Sequence, residues 1–413
     1  MKIAHDPVET LKKEIETWGT PFVELDCFET DSAERIAATM DEFCRAHLGS
    51  KLRGYLFYGS SVGSTHGVRL EDGRDVVIKV RPPAETNPYL SFDRVSLASI
   101  CRVMKWLADR GYPCPKPILG PTPVAKGLAT VEEFLDRGQR GNGFDPECRK
   151  LIATGLAELI KLLRSFDGGV SCLKHFQRSE SLYPQPHSKL FDFEKTAEGG
   201  EWIDTFARRA RQAEAHEGNP VLGHGDWRVE HLRFQEGKIV ATYDWDSLAF
   251  CSETELVGVS VHGFTADWIL EGVRRIPTAD DIQAYVADYE QARGQPFSER
   301  ERQSLFAHCV YCIAYGARCA HSLEPDKTEW EENTWPYLLK TEGEALLREA
   351  QSLARGQADG LAVAEKRCFM LRAPAMKGIF SIISNFFPFV LSSSKDSERV
   401  FQQPSSAEQL NDL

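Results

Sequence analysis

No run of about 18 apolar residues occurs in the 413-residue chain, so no helix is expected to span a bilayer. The opening Met1-Lys-Ile-Ala-His-Asp-Pro7 lacks the apolar stretch of a secretory leader. Basic side chains are in deficit. There are 49 Lys and Arg against 61 Asp and Glu, a formal charge of −12, which argues against a nucleic-acid partner, since phosphate-backbone binding rests on clustered cations. The 11 cysteines are odd in number and scattered, so they form no disulfide framework, and a reducing, cytoplasmic setting is expected. No repeat of about 20–50 residues is visible. What remains is an ordinary globular composition, 42% hydrophobic and 27% charged. At roughly 150 residues per domain the length suggests two or three domain-sized units, with a core large enough to need no staples.

The first fifty residues read as helix, strand, helix. Val8, Leu11, Ile15 and Trp18 share a helical face, Pro21–Phe28 is strand-like, and Asp31 with Glu34 is a capping-box signal for a helix that stops at Gly49. Tyr55–Tyr58 and Thr65–Leu70 are strand candidates flanking Gly59-Ser-Ser-Val-Gly63. Asp72-Gly73 marks a hairpin turn, and Asp75–Val80 is a third strand. A helix is expected around Asp93–Arg110, ended by the proline-rich 111–117, and a strand at Ala129–Leu135. Beyond residue 145 the chain is mostly helical. Short strands interrupt it near Val221 and at Lys238–Tyr243, and helices follow near Glu255–Glu271, Ala279–Arg293 and Glu299–Ala320. From about Arg355 the pattern degrades. An apolar segment, 378–391, precedes a polar stretch, 392–413, that reads as disordered.

Chemistry concentrates in Val221-Leu-Gly-His-Gly-Asp-Trp-Arg-Val-Glu-His-Leu-Arg-Phe234 and Ile239-Val-Ala-Thr-Tyr-Asp-Trp-Asp246. Asp226 falls in a turn after a strand, His231 follows five residues on, and Asp244 ends the next strand, so a hairpin can bring all three together. One carboxylate as base and a second with a neighbouring ligand is the equipment of Mg²⁺-assisted phosphoryl transfer. About 150 residues upstream, the turn from Gly59 to Gly63 can cover phosphates with backbone N–H groups. Lys79, in Val-Val-Ile-Lys, can neutralise their charge.

In this order of parts the chain resembles the aminoglycoside phosphotransferase and choline kinase family, on His224-Gly-Asp226 and Tyr243-Asp-Trp245. The resemblance covers roughly residues 50–345. It implies an α+β, bilobal, protein-kinase-like fold, with a small antiparallel-sheet lobe (50–136) and a mainly helical lobe with the catalytic hairpin and acceptor site (137–355); outside it the pattern reads as an N-terminal helical extension (1–49) and a largely disordered tail (356–413). The resemblance further implies an ATP-dependent transfer to a hydroxyl of a small molecule. Asp226 would be the base and Asp244 a Mg²⁺ ligand. Gly59, Gly63 and Lys79 would lie at the phosphates, and the backbone from Glu133 to Leu135 would hold the adenine. Two departures stand out. His231 replaces the usual metal-ligand Asn, although Mg²⁺ prefers oxygen and Mn²⁺ tolerates imidazole better. Residues 93–110 contain no Glu to pair with Lys79, which leaves Asp93 as the nearest acid. Both departures keep open an alternative, a nucleotide-binding pseudokinase with a regulatory or scaffold role. Arg228 either touches the transferred phosphate, as a Lys at that spacing does in protein kinases, or is a solvated loop arginine.

Other groupings have two readings each. His308, Cys309 and Cys312, with Cys319 and His321, are a metal cluster or small buried residues of a helix. Trp227, Trp245 and Trp268 are a cation-binding surface or core. Asp246, Glu253, Glu255, Asp267 and Glu271 line an acidic pocket for an amine or form a solvated face. Lys366, Arg367, Arg372 and Lys377 touch a membrane surface or belong to a loose tail.

Overall fold

The computed structural model describes residues 4–18, 21–83, 92–169, 173, 181–186, 188–214, 219–270 and 272–364. Three helices open the chain: α1 (Pro7–Trp18), α2 (Pro21–Phe28) and α3 (Ala33–Phe43). A π-turn over Cys44–Leu48 follows, and Gly49 closes it at φ 71°. The strand expected at Pro21–Phe28 is therefore a helix. Its buried residues are Val23, Glu24, Cys27 and Phe28, the one-face spacing of 3.6 residues per turn rather than alternation, and proline is at home in a first turn. The cap of α3 is Ser32, not Asp31. The Ser32 hydroxyl accepts the Arg35 N–H at 3.3 Å and donates to Glu34.

An antiparallel sheet follows, built from β1 (Leu52–Ser60), β2 (Ser64–Leu70), β3 (Asp75–Arg81), β4 (Pro117–Val124) and β5 (Gly127–Glu133), in the order β1-β2-β3-β5-β4. Strand β4, which carries Pro117, Pro121 and Pro123, was not expected. It lies at the sheet edge, where missing N–H donors cost little. Gly73, at φ 90°, makes the β2–β3 turn. One apolar cluster joins this sheet to α1–α3 through Leu11, Ile36, Met40, Tyr55, Val68, Ile78 and Val131.

Helix α4 (Arg94–Ala108) crosses from β3 to β4. Its Leu97, Ile100, Val103, Met104 and Leu107 belong to the second, larger cluster, together with the helical half of the chain. That half contains α5 (Pro146–Leu163), α6 (Glu201–Ala213), α7 (Glu253–Gly263), α8 (Ala279–Arg293), α9 (Glu299–Leu323) and α10 (Trp335–Ala364). Helix α7 stops eight residues short of the expected Glu271, and α10 continues past the tail boundary expected at 355. The segments 378–391 and 392–413 and the basic residues from Lys366 lie outside the described residues. Among the described residues, no helix is long and apolar enough to cross a membrane.

Candidate active site

Four short strands build the site: β6 (Val221–His224), β7 (Leu232–Gln235), β8 (Lys238–Thr242) and β9 (Leu248–Cys251). Strand β6 pairs with β9, and β7 pairs with β8, both antiparallel. The Gly225 N–H donates to the Ser247 carbonyl at 2.8 Å, and the Tyr243 N–H donates to the His231 carbonyl at 2.9 Å. These two ties lay the turn carrying Asp226 against the turn carrying Asp244. Asp244 holds a left-handed backbone, φ 61° and ψ 43°, which costs a non-glycine residue roughly 1–3 kcal/mol. Its side chain accepts the Ser247 hydroxyl at 2.9 Å.

His224 fixes the turn that carries Asp226. Its Nδ1 accepts the Asp226 N–H at 3.1 Å and its Nε2–H donates to the Tyr243 carbonyl at 2.9 Å. This role was not read from the sequence, although His224 opens the motif. Asp226 is 6% exposed. One carboxylate oxygen accepts Arg228 Nη1 at 2.7 Å, and the other is buried with no hydrogen-bond partner. Arg228 is not a solvated loop arginine. It is buried, and it also donates to Glu230 Oε2 at 3.2 Å and meets His231 Nε2 at 3.2 Å. His231 donates Nδ1–H to the Asp226 carbonyl at 2.8 Å. Asp226, His231 and Asp244 each offer a ligand atom, all within 4.8 Å of one another. This is the metal-competent group found among the described residues.

The two carboxylates have opposite electrostatics. Burial pushes the Asp226 carboxyl up to about 8, against the opposing pull of Arg228 and with a further push from Asp244. Burial acts on Asp244 in the same sense, but the Lys79 ammonium and the Arg81 guanidinium override it and hold the carboxyl well below the usual range. Burial, with Arg228 adding to it, keeps His231 neutral by moving its imidazole well below its ordinary value.

Lys79 reaches this cluster from β3. Its ammonium donates to Asp246 Oδ1 at 3.2 Å and lies 3.6 Å from Asp244 Oδ1. Arg81, two residues on, pairs with the other oxygen of Asp246. The pairing expected between Lys79 and Asp93 does not form. The Asp93 carboxylate caps α4 instead, accepting the Ser96 N–H at 2.6 Å. Gly59 lies within β1, opposite Thr65, rather than in the turn. Gly63 ends a short turn, and a Cβ there would stand 2.5 Å from Arg81 Nη1 and from the Val80 carbonyl oxygen. At the adenine stretch, the Glu133 N–H is bonded to the Lys116 carbonyl at 3.0 Å and the Leu135 carbonyl accepts the Tyr243 hydroxyl at 2.9 Å. The sheet and Tyr243 thus compete for the groups the resemblance gives to the base. Glu132 beside them is buried in the same cavity as Lys79.

The remaining groupings resolve toward structure. Trp227 and Trp245 are core, with their indole N–H groups on the Ile152 and Thr242 carbonyls; Trp268 is half-buried. The acids are each engaged: Asp246 with Lys79 and Arg81, Glu253 with Arg164 and Arg293, Glu255 in the α7 capping box, and Asp267 with Arg140. Glu271 lies outside the described residues. His308 pairs with Glu214, His321 meets the Glu198 carbonyl, and Cys309, Cys312 and Cys319 are buried free thiols of α9.

The model of the phosphotransferase enzyme family matches residues 64–250. No curated protein sequence matches the chain. Among solved structures, an amicoumacin kinase in complex with AMP-PNP, Ca²⁺ and Ami superposes with TM-score 0.50 at 11% identity, covering 77% of this chain and 94% of that one. Others are a spectinomycin phosphotransferase in complex with ADP and spectinomycin (TM-score 0.46, 15% identity, 74% and 98% covered) and a choline kinase from Cryptosporidium parvum Iowa II (0.42, 11%, 79% and 98%). The first of these shows the bilobal, protein-kinase-like fold. Lys79, Asp226, Arg228, His231, Asp244 and Asp246 all fall within the matched residues, and over that stretch the chain resembles the phosphotransferase enzyme family in sequence pattern and in fold.

Proposed function

We propose that the protein is an ATP-dependent phosphotransferase that moves the γ-phosphate to a hydroxyl of a small molecule. The observation that carries this reading is the grouping of Asp226, His231 and Asp244, whose ligand atoms lie within 4.8 Å of one another with the Lys79 ammonium 3.6 Å from Asp244; burial raises the proton affinity of Asp226 and the neighbouring cations lower that of Asp244. Environments that split two carboxyl groups in this way divide base from charge-bearing ligand. The partnerless Oδ2 of Asp226 and the neighbouring His231 and Asp244 atoms fit a divalent cation, with Asp244 and His231 as its holders. When bound, that cation would screen the phosphate charge. Asp226, oriented by His224, would accept the acceptor hydroxyl proton. Lys79 would neutralise phosphate oxygens between a small lobe (50–136) and a helical lobe (137–355), and Arg228 would hold Asp226 in place. The free buried thiols of Cys27, Cys44, Cys309 and Cys312 fit a reducing cytoplasm.

The test is ATP consumption against a panel of hydroxyl compounds with Mg²⁺ or Mn²⁺. Turnover that needs a divalent cation, runs well on Mn²⁺ and is abolished by Asp244→Ala is expected. The pseudokinase reading is favoured by one observation: His231 spends its N–H on the Asp226 carbonyl and faces Arg228 with its other nitrogen. Nucleotide binding without turnover across the whole panel would decide for it.

A further inference from the structure

Lys79 has an anionic partner, and it does not come from α4. That helix, Arg94–Ala108, carries no acidic residue, and its residues on the cavity beside Lys79 are Leu97, Ile100, Cys101 and Met104. The partner is Asp246, 8% exposed, in the 3₁₀ turn Trp245–Ser247 that directly follows Asp244. One of its oxygens takes Lys79 and the other takes Arg81. Lys79 and Arg81 are two apart on β3 and so project from the same face of the sheet. The Arg81 guanidinium also fills the space left by the missing Cβ of Gly63, and it lies over the Phe92 ring, 5.6 Å from its centroid.

We propose that Asp246 is the positioning residue for Lys79, supplying from the catalytic segment the carboxylate that α4 lacks, with Arg81 as the second strut that ties the Gly63 turn to the same carboxylate. The inference rests on the phosphotransferase reading and deepens it. A lysine has a long, rotamer-rich side chain, and holding its ammonium before the nucleotide arrives removes an ordering cost from binding. Because Asp246 lies two residues from Asp244, the cation for phosphate and the carboxylate for metal are set by one turn. A shift of that turn moves both.

The experiment uses the full chain and a fluorescent trinitrophenyl-ATP analogue with Mg²⁺, measuring Kd for the wild type, Asp246→Asn, Lys79→Met and the double variant, together with the melting temperature of each without ligand. Expected is a rise in Kd of about tenfold or more for Asp246→Asn, no further rise when it is added to Lys79→Met, and partial recovery in Asp246→Glu. Coupled residues are non-additive in this way. Should Asp246→Asn fail to fold because Arg81 is stranded, Arg81→Met/Asp246→Asn removes the stranded cation and serves in its place. A wild type that binds the analogue while Asp246→Asn binds equally well, or losses from Lys79 and Asp246 that simply add, would overturn the inference and leave the proposed function standing. A wild type that does not bind the analogue would overturn both.

Discussion

Asp226 and Asp244 start as the same side chain and end with opposite proton affinities, and the difference is a matter of neighbours. Asp226 faces one guanidinium in a dry setting, whereas Asp244 faces an ammonium and a second guanidinium. If Asp226 is the base, Asp226→Asn should lower kcat by roughly 10²–10⁴ while nucleotide affinity stays within a few-fold, since a base acts in the transition state. An equal loss in affinity would assign Asp226 to metal instead. A second residue-scale consequence concerns stability. His66 is fully buried between the Tyr55 hydroxyl at 2.8 Å and the Ser64 hydroxyl at 2.9 Å, and burial lowers its imidazole to about 3. An unfolded His takes its proton near 6.5. Between those values the unfolded chain binds the extra proton, so stability is whole above about pH 6.5 and falls as pH drops toward 3, by about 1.4 kcal/mol per pH unit from this residue. Urea unfolding at several pH values should show a slope shallower by that amount in His66→Asn. Matching slopes would mean that His66 is charged in the fold.

At the scale of elements, caps decide boundaries. Helices α7, α8 and α9 each begin with a complete capping box, at Ser252, Thr278 and Ser298. Ser298 is exposed, so Ser298→Ala isolates the cap and should cost about 1 kcal/mol in chemical denaturation; no change would mean that packing alone fixes the start of α9. This scale also shows what the sequence made legible. Ala279–Arg293 was readable to the residue because its cap, periodicity and Gly294 stop agree. Pro21–Phe28 was not, since a short apolar run satisfies period 2 and period 3.6 alike until its packing partner is known. Strand β4 was hidden by prolines that only an edge position tolerates. The site divides in the same way. Asp226, His231, Asp244 and Lys79 could be read because their types and spacing follow local turns. The partner of Lys79 could not, because it depends on where a segment 167 residues away in sequence comes to lie. The signal was nonetheless present in the second acid of Asp244-Trp-Asp246.

For the molecule as a whole, the two apolar clusters do not divide where the chain order suggests. Helix α4 lies between two strands of the small sheet, yet its apolar face joins the large cluster. Trp106 packs edge-on to Phe166 at 5.5 Å, and the nearby Tyr112 packs edge-on to Trp245 at 5.9 Å. Thr242 adds two hydrogen bonds to the Pro113 carbonyl, at 2.8 Å from its N–H and 2.7 Å from its hydroxyl. A fragment of residues 4–136 should therefore bind a hydrophobic dye and give no sharp melting transition, although it contains every strand of the sheet. A cooperative melt in that fragment would show that the small lobe is self-sufficient.

The same placement of α4 has a consequence during synthesis. The helix leaves the ribosome with its apolar stripe bare, and one of the elements that packs on it, the Trp245–Ser247 turn, is about 140 residues from being made. At about 5–20 residues per second that interval is on the order of ten seconds. For that time α4 is a binding site for whatever nascent-chain chaperone the cell supplies, and slowing translation after residue 110 lengthens the exposure.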